Sequence, residues 1–424
     1  MDVNVIFLSI GVIILIGFLA ELLFKRTNIP DVLILIIIGI LIKEVFGVTP
    51  LQDSTLTELF ITFALLYILF QGALNIQLSK LLKSMTHATK LTIANFVVSV
   101  ACIMIILILF GFAWEVALLM GTILGGTSAI VTVPILQNIV LKEKFSSTLK
   151  LESAFSDVLC IVSTLAIFSF IQTGLITVES VFQSALASVA LGIGAGVLAG
   201  ILWTLVVSKF RSLSQAYMVS IGVLLLLYSV VQTPWIDGNG ALACLAFGIV
   251  LGNSKKFLSF FQKDSKDETV HAVLDHSALN FYSEISFLLK VVFFVYLGML
   301  IDFTNWFVIL VGLLLTLVLF FVRPIIIYAT FAKEKPSVTE RTILEVMVPK
   351  GLAAAVLAQL VSIQLAEFAA FAHIATILGN LALSVVFFSI ILTSILVFVT
   401  EKNWFGGVYH PFLRDTTPAL DTKK

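Results

Sequence analysis

Charge is scarce in this chain. Asp, Glu, Lys and Arg together make up 12% of its 424 residues, and 25 acidic against 25 basic side chains leave a formal net charge of zero. A water-soluble domain carries about twice that charged fraction, so an ordinary globular protein is excluded, and nothing in the balance suggests nucleic acid. Cysteine is also rare. Cys102, Cys160 and Cys244 are odd in number and all sit in apolar stretches, which argues against a disulfide framework and leaves them as packing residues. The five histidines, His87, His271, His276, His373 and His410, are scattered and form no metal-ligating cluster. The N-terminus lacks the basic region and small-residue cleavage site of a secretory signal, so its apolar run to about Leu23 is expected to persist as a first membrane span. What the chain has instead is hydrophobic bulk, 60% of residues, with 36 Phe read as lipid-facing. The expected class is an all-α integral membrane protein.

Crossing the hydrocarbon takes about 17 to 25 residues. The apolar segments divide into thirteen such spans, near 3–24, 29–46, 57–76, 90–113, 115–139, 148–171, 180–208, 215–233, 238–253, 282–301, 304–332, 340–363 and 372–399. The basic residues test this division, because cytoplasmic loops collect Lys and Arg. Alternate loops hold 21 of the 25, whereas the opposite loops hold only Lys43 among their acids. A miscounted span would scramble that alternation. The N-terminus is therefore expected outside and the C-terminus, with a short tail over 400–424, in the cytoplasm. Lys290, Arg323 and Lys350 are left over, within spans or near their ends.

Thirteen spans divide as six, one and six, so the second block is inverted relative to the first. The reading is a single transporter domain over 1–424, with repeat 1 at about 3–171, a linker helix at 180–208 and repeat 2 at about 215–399. Gly39-Ile40 recurs as Gly248-Ile249, and Phe70-Gln71-Gly72-Ala73-Leu74 as Tyr296-Leu297-Gly298-Met299-Leu300, each seven spans on. Spans 5 and 12 correspond in the same way and each is interrupted, by Gly125-Gly126-Thr127-Ser128 and by Val348-Pro349-Lys350-Gly351. Lipid tolerates freed backbone groups only where protein, water or an ion satisfies them, so two broken crossing helices are expected to frame a transport site.

Two carboxylates, Glu152 and Asp157, lie in span 6. Acids at that depth are costly and mark ion or proton pathways. Five residues separate them, roughly 140° around a helix, so they are not expected to face one partner. Asp157 shares its face with Ser153, and together with the Thr127 hydroxyl or backbone carbonyls of span 5 they form an oxygen-rich site suited to a small hard cation. Glu152 and Ser156 point elsewhere, with Lys350 as the expected partner of Glu152. Proton and cation would then compete for the Asp157 oxygens, and that competition is antiport.

These residues resemble a known family, the monovalent cation/proton antiporters, in its sodium/proton exchanger branch. Ile29-Pro30-Asp31-Val32-Leu33 to Gly39 is similar to the family's opening span, and Phe70-Gln71-Gly72-Ala73-Leu74 to its Phe-Glu-Gly-Leu span with Gln for Glu. Leu124-Gly125-Gly126-Thr127-Ser128 is similar to the unwound Ala-Thr-Asp-Pro helix, Ser128 and Ala129 replacing Asp and Pro. Glu152-Ser153-Ala154-Phe155-Ser156-Asp157 is similar to Glu-Ser-x-x-Asn-Asp, Pro349-Lys350-Gly351 to Pro-Arg-Gly, and Phe293 to Gly298 to a further family segment. The resemblance implies ion binding by Asp157, Ser153 and Thr127, a structural ion pair of Glu152 with Lys350, and supporting roles for Ser156, Ser128 and Arg323. It also implies a homodimer in the cell membrane, exchanging Na+, Li+ or K+ for H+ in pH homeostasis without a cofactor. Ser156 replaces the Asn of electroneutral and the Asp of electrogenic members, and the expectation is one proton per cation. The alternatives are a sodium-coupled symporter of an organic anion on the same fold, or an ion channel. An enzyme is disfavoured, since no catalytic His, Ser dyad or metal set accompanies the two acids.

The remaining candidates have two readings each. Arg323 and Lys290 either neutralise helix ends in the core or snorkel to the interface. Glu345 is a gate near the inner surface or a solvated charge. The 253–281 loop either senses pH or anionic lipid, or simply connects.

Overall fold

A computed structural model describes residues 3–27, 31–47, 54–74, 78–139, 141–173, 178–209, 216–255, 276–301, 304–334, 336–366, 368 and 372–401. Most of the 253–281 loop and the tail beyond 401 lie outside the described residues. Everything regular among them is helical: α1 (Val3–Thr27), α2 (Asp31–Phe46), α3 (Ser54–Leu74), α4 (Leu78–Leu109), α5 (Trp114–Leu124), α6 (Ala129–Asn138), α7 (Glu143–Thr173), α8 (Val178–Lys209), α9 (Ala216–Val231), α10 (Gly240–Gly252), α11 (His276–Leu300), α12 (Trp306–Phe331), α13 (Val338–Val346), α14 (Leu352–Ala366) and α15 (Ala372–Glu401). Seven helices among the described residues are long and apolar enough to cross a membrane. α4 begins about twelve residues before the expected span, because the polar stretch from Leu78 continues the same helix.

Local chemistry sets several helix starts. Asn239 accepts from the Leu242 amide at 3.0 Å and caps α10, and Asn305 does the same for α12 through Val308. Ser337 and Glu340 form a reciprocal capping box on α13, Ser337 N donating to Glu340 Oε2 at 2.8 Å, which satisfies orphan amides of the first turn.

The helices sort into two packed groups. α4, α5, α6, α7, α12, α13, α14 and α15 form one, and α1, α2, α3, α8, α9, α10 and α11 the other, with α3 meeting α14 and α7 meeting α8 between them. Inside the second group, two helix pairs touch backbone to backbone. A Cβ on Gly39 of α2 would fall on Val295 O and 2.8 Å from Gly298 Cα of α11, and one on Gly298 would fall on Ile36 O. A Cβ on Gly248 of α10 would lie 2.6 Å from Phe70 O and 2.8 Å from Ala73 Cβ of α3. The residue that faces Gly248 is therefore Ala73 rather than Gly72. Gly39→Ala is expected to destabilise by about 1–3 kcal/mol through overpacking, read as a lower melting temperature in detergent. Gly72→Ala, whose Cβ meets nothing within 4 Å, is the control that should leave melting unchanged.

Candidate functional site

α5 ends at Leu124 and α6 starts at Ala129, while α13 ends at Val346 and α14 starts at Leu352, so each pair leaves a short non-helical bridge. The two bridges are in contact. Ser128 N donates to Pro349 O at 2.8 Å, and a Cβ on Gly351 would overlap the Ser128 side chain, which is why that position carries glycine. Freed backbone groups in such a place need partners, and α7 supplies most of them. Gly126 N donates to Cys160 Sγ at 3.1 Å, Thr127 N donates to Ser156 Oγ at 3.0 Å, and Ser156 Oγ lies 3.0 Å from both Thr127 O and Ser153 O. From the second bridge, Lys350 Nζ donates to Gly126 O at 2.6 Å and Lys350 N to Ser389 Oγ at 2.9 Å.

Charge follows the helix ends. Lys350 sits against the carbonyl end of α5 and Asp157 against the amide end of α6, where the Ala129 N–H faces its carboxylate; both placements complement the helix dipoles. Asp157 is half-buried, whereas Thr127, Ser128, Ser153, Ser156 and Lys350 are buried. Ser153 donates to Leu149 O at 2.6 Å, which leaves its lone pairs available. Among the described residues neither Asp157 nor Lys350 forms an ion pair.

Glu152 overturns one expectation. Its partner is Arg323, not Lys350: Nη1 and Nη2 of the guanidinium meet the two carboxylate oxygens, the second at 2.7 Å, and Arg323 Nε donates to Leu344 O at 3.2 Å. The planar fork of arginine matches both oxygens, which an ammonium cannot do, and Lys350 is engaged with the Gly126 carbonyl. Ser156 is likewise turned to the α5–α6 bridge rather than sharing a partner with Glu152. Arg323 is wholly buried, so the snorkelling reading fails. Lys290 is paired with Asp31, and Glu345 is buried and paired with Arg341 at 2.8 Å rather than solvated. Cys160, expected only to pack, proves to be a hydrogen-bond acceptor, and sequence reasoning missed Ser389; the position of Cys160 one turn from Ser156 was the available signal for the first.

Residues 11–402 match the family described as sodium/hydrogen exchanger, transmembrane. The chain belongs to that family. Among similar proteins, the K(+)/H(+) antiporter NhaP of Alkalimonas amylolytica is 28% identical over 60% of the chain, but the chain spans only 45% of that protein's length. Na(+)/H(+) antiporter 1 of Methanocaldococcus jannaschii is 25% identical over 84% of the chain and 83% of its own length. Solved structures of the sodium proton antiporter MjNhaP1 from M. jannaschii share the fold of this chain. One superposes with a TM-score of 0.75 at 22% identity, covering 96% of this chain and 99% of that one, and the other, at pH 8, with a TM-score of 0.73.

Proposed function

We propose that the protein is a secondary antiporter that exchanges a monovalent cation, Na+ foremost, for H+ at Asp157. The observation that carries this reading is the contrast between the two acids of α7. Glu152 is neutralised by Arg323, whereas Asp157 is half-buried, unpaired among the described residues, and set against the amide end of α6. Thr127 and Ser153 supply further oxygens beside it. A carboxylate of that kind binds a proton or a cation, not both, and a protein that changes its facing only when one of them is bound couples the two flows.

Stoichiometry follows from the same residues. Ser156 carries no charge and is engaged with the Thr127 backbone, so a single carboxylate exchanges one H+ for one cation and the cycle is electroneutral. The architecture proposed is thirteen crossings in two inverted six-helix repeats joined by α8, with α5–α6 and α13–α14 as the broken crossing helices. The close glycine contacts of both the α2–α11 and the α3–α10 pairs support it, as they are the pairs that a two-fold relation between the repeats would exchange. The N-terminus is placed outside, the C-terminus in the cytoplasm, and the working unit is a homodimer in the cell membrane. No resident cofactor is invoked; cation and proton are cargo.

Proteoliposomes containing a pH dye and an inside-acid gradient test the reading on addition of Na+, Li+ or K+ in turn. Alkalinisation of the lumen driven by at least one cation is expected, at a rate that does not change when the membrane potential is clamped at different values. Cation uptake without a pH change would favour a symporter and sink the proposal, and a potential-dependent rate would sink the 1:1 stoichiometry.

A further inference from the structure

We infer that Cys160 is a positioning residue of the ion site: its thiol accepts the Gly126 amide and so fixes the bridge that presents Thr127. The inference rests on the antiport reading of that site.

Two observations of different kind lead to it. The first is the hydrogen bond, with Gly126 N donating to Cys160 Sγ at 3.1 Å on a side chain 3% exposed. The second is steric. A Cβ at position 126 would lie 2.6 Å from Cys160 Sγ and 3.0 Å from Ser156 O, so the thiol lies close enough to the main chain to require glycine there. Residue 126 is thereby held at both ends, its N–H by Cys160 and its carbonyl by Lys350, and residue 127 is held at both ends by Ser156. Cys160 and Ser156 are four residues apart on α7 and face the same way, so the helix presents acceptors to two consecutive amides of the bridge. Asp157, the next residue along, faces the third element of the site, the start of α6.

Without the thiol, the Gly126 amide is a buried donor with no partner, a costly state away from water. The 126–127 segment then has one anchor fewer and Thr127 is no longer fixed relative to Asp157. The consequence falls on cation binding rather than on the change of facing, because the cation is what Thr127 and Asp157 hold together. A cysteine that only fills space would behave differently, since replacement by any residue of similar size would leave cation binding alone.

The test compares wild type with Cys160→Ala, Cys160→Val and Cys160→Ser in the proteoliposome assay, using monodisperse protein. Alanine and valine are expected to raise the half-saturating cation concentration by about three- to tenfold with the maximal rate within about twofold of wild type, the size of effect a lost buried hydrogen bond produces. Serine, which restores an acceptor, should return it toward wild type. The inference is overturned if Cys160→Val binds as wild type does, or if serine is as impaired as alanine. Should alanine fail to fold, the valine and serine pair still decides. A wild type that moves no proton with any alkali cation refutes the antiport reading separately; the same variants are then compared for Na+, Li+ and K+ binding by calorimetry, where equal affinities refute the role of the thiol.

Discussion

Asp157→Asn is expected to reduce cation-driven proton movement to that of protein-free vesicles while the protein remains folded. Asparagine has nearly the volume of aspartate and can still face the Ala129 N–H through its carbonyl, so the two bridges keep their shape. It cannot bear a negative charge. An alkali ion at that position would then meet the positive end of α6 with no carboxylate to offset it, and there would be no proton to release in exchange. Fluorescence dequenching in matched proteoliposomes measures the loss, and an unchanged melting temperature shows that it is not misfolding. Any residual exchange above empty vesicles would show that the carboxylate is not the shared site.

Arg323→Ala should produce the largest loss of stability in the molecule. Removing one partner of a fully buried ion pair leaves the other uncompensated, at a cost of about 3–5 kcal/mol. Glu152 is 1% exposed and Arg323 fully buried, so solvent offers no relief. The guanidinium also holds Leu344 O in the last turn of α13, so three helices loosen at once. Arg323→Lys should recover only part of the loss, since an ammonium cannot match both carboxylate oxygens. Pairing Arg323→Ala with Glu152→Gln should restore much of it by removing the orphaned charge. Melting curves of purified protein check the series; an Arg323→Ala protein as stable as wild type would remove the pair from the account.

Helix ends and face assignments were legible where chemistry is local. The clustered breakers Gly125-Gly126 and Pro349-Lys350-Gly351 interrupt their apolar runs, and the five-residue spacing of Glu152 and Asp157 sends them to different neighbours: one meets α12, the other the start of α6. The partner of Glu152 was not legible. Arg323 and Lys350 are both basic residues in apolar surroundings, and spacing along the chain does not say which one a carboxylate 171 or 198 residues earlier will meet. Only the bundle decides that, because α4 packs against both α7 and α12 and so brings Arg323 within reach of Glu152, and packing is a property of the whole bundle. The contact made by Cys160 was hidden for a related reason: its partner is a main-chain N–H, which every residue type but proline supplies, so composition carries no mark of it.

The seam between α2 and α11 has a bearing on how the chain is made. Gly39 meets Gly298, and nearby Lys43 Nζ donates to Ile301 O at 2.8 Å, a link between residues 258 positions apart. During synthesis the early helices are inserted long before their counterparts exist, and contacts of such separation form late. The first third of the polypeptide must therefore wait in the bilayer with its glycine surfaces uncovered until roughly three hundred residues have left the ribosome, and quality control would encounter the nascent chain in that half-built state.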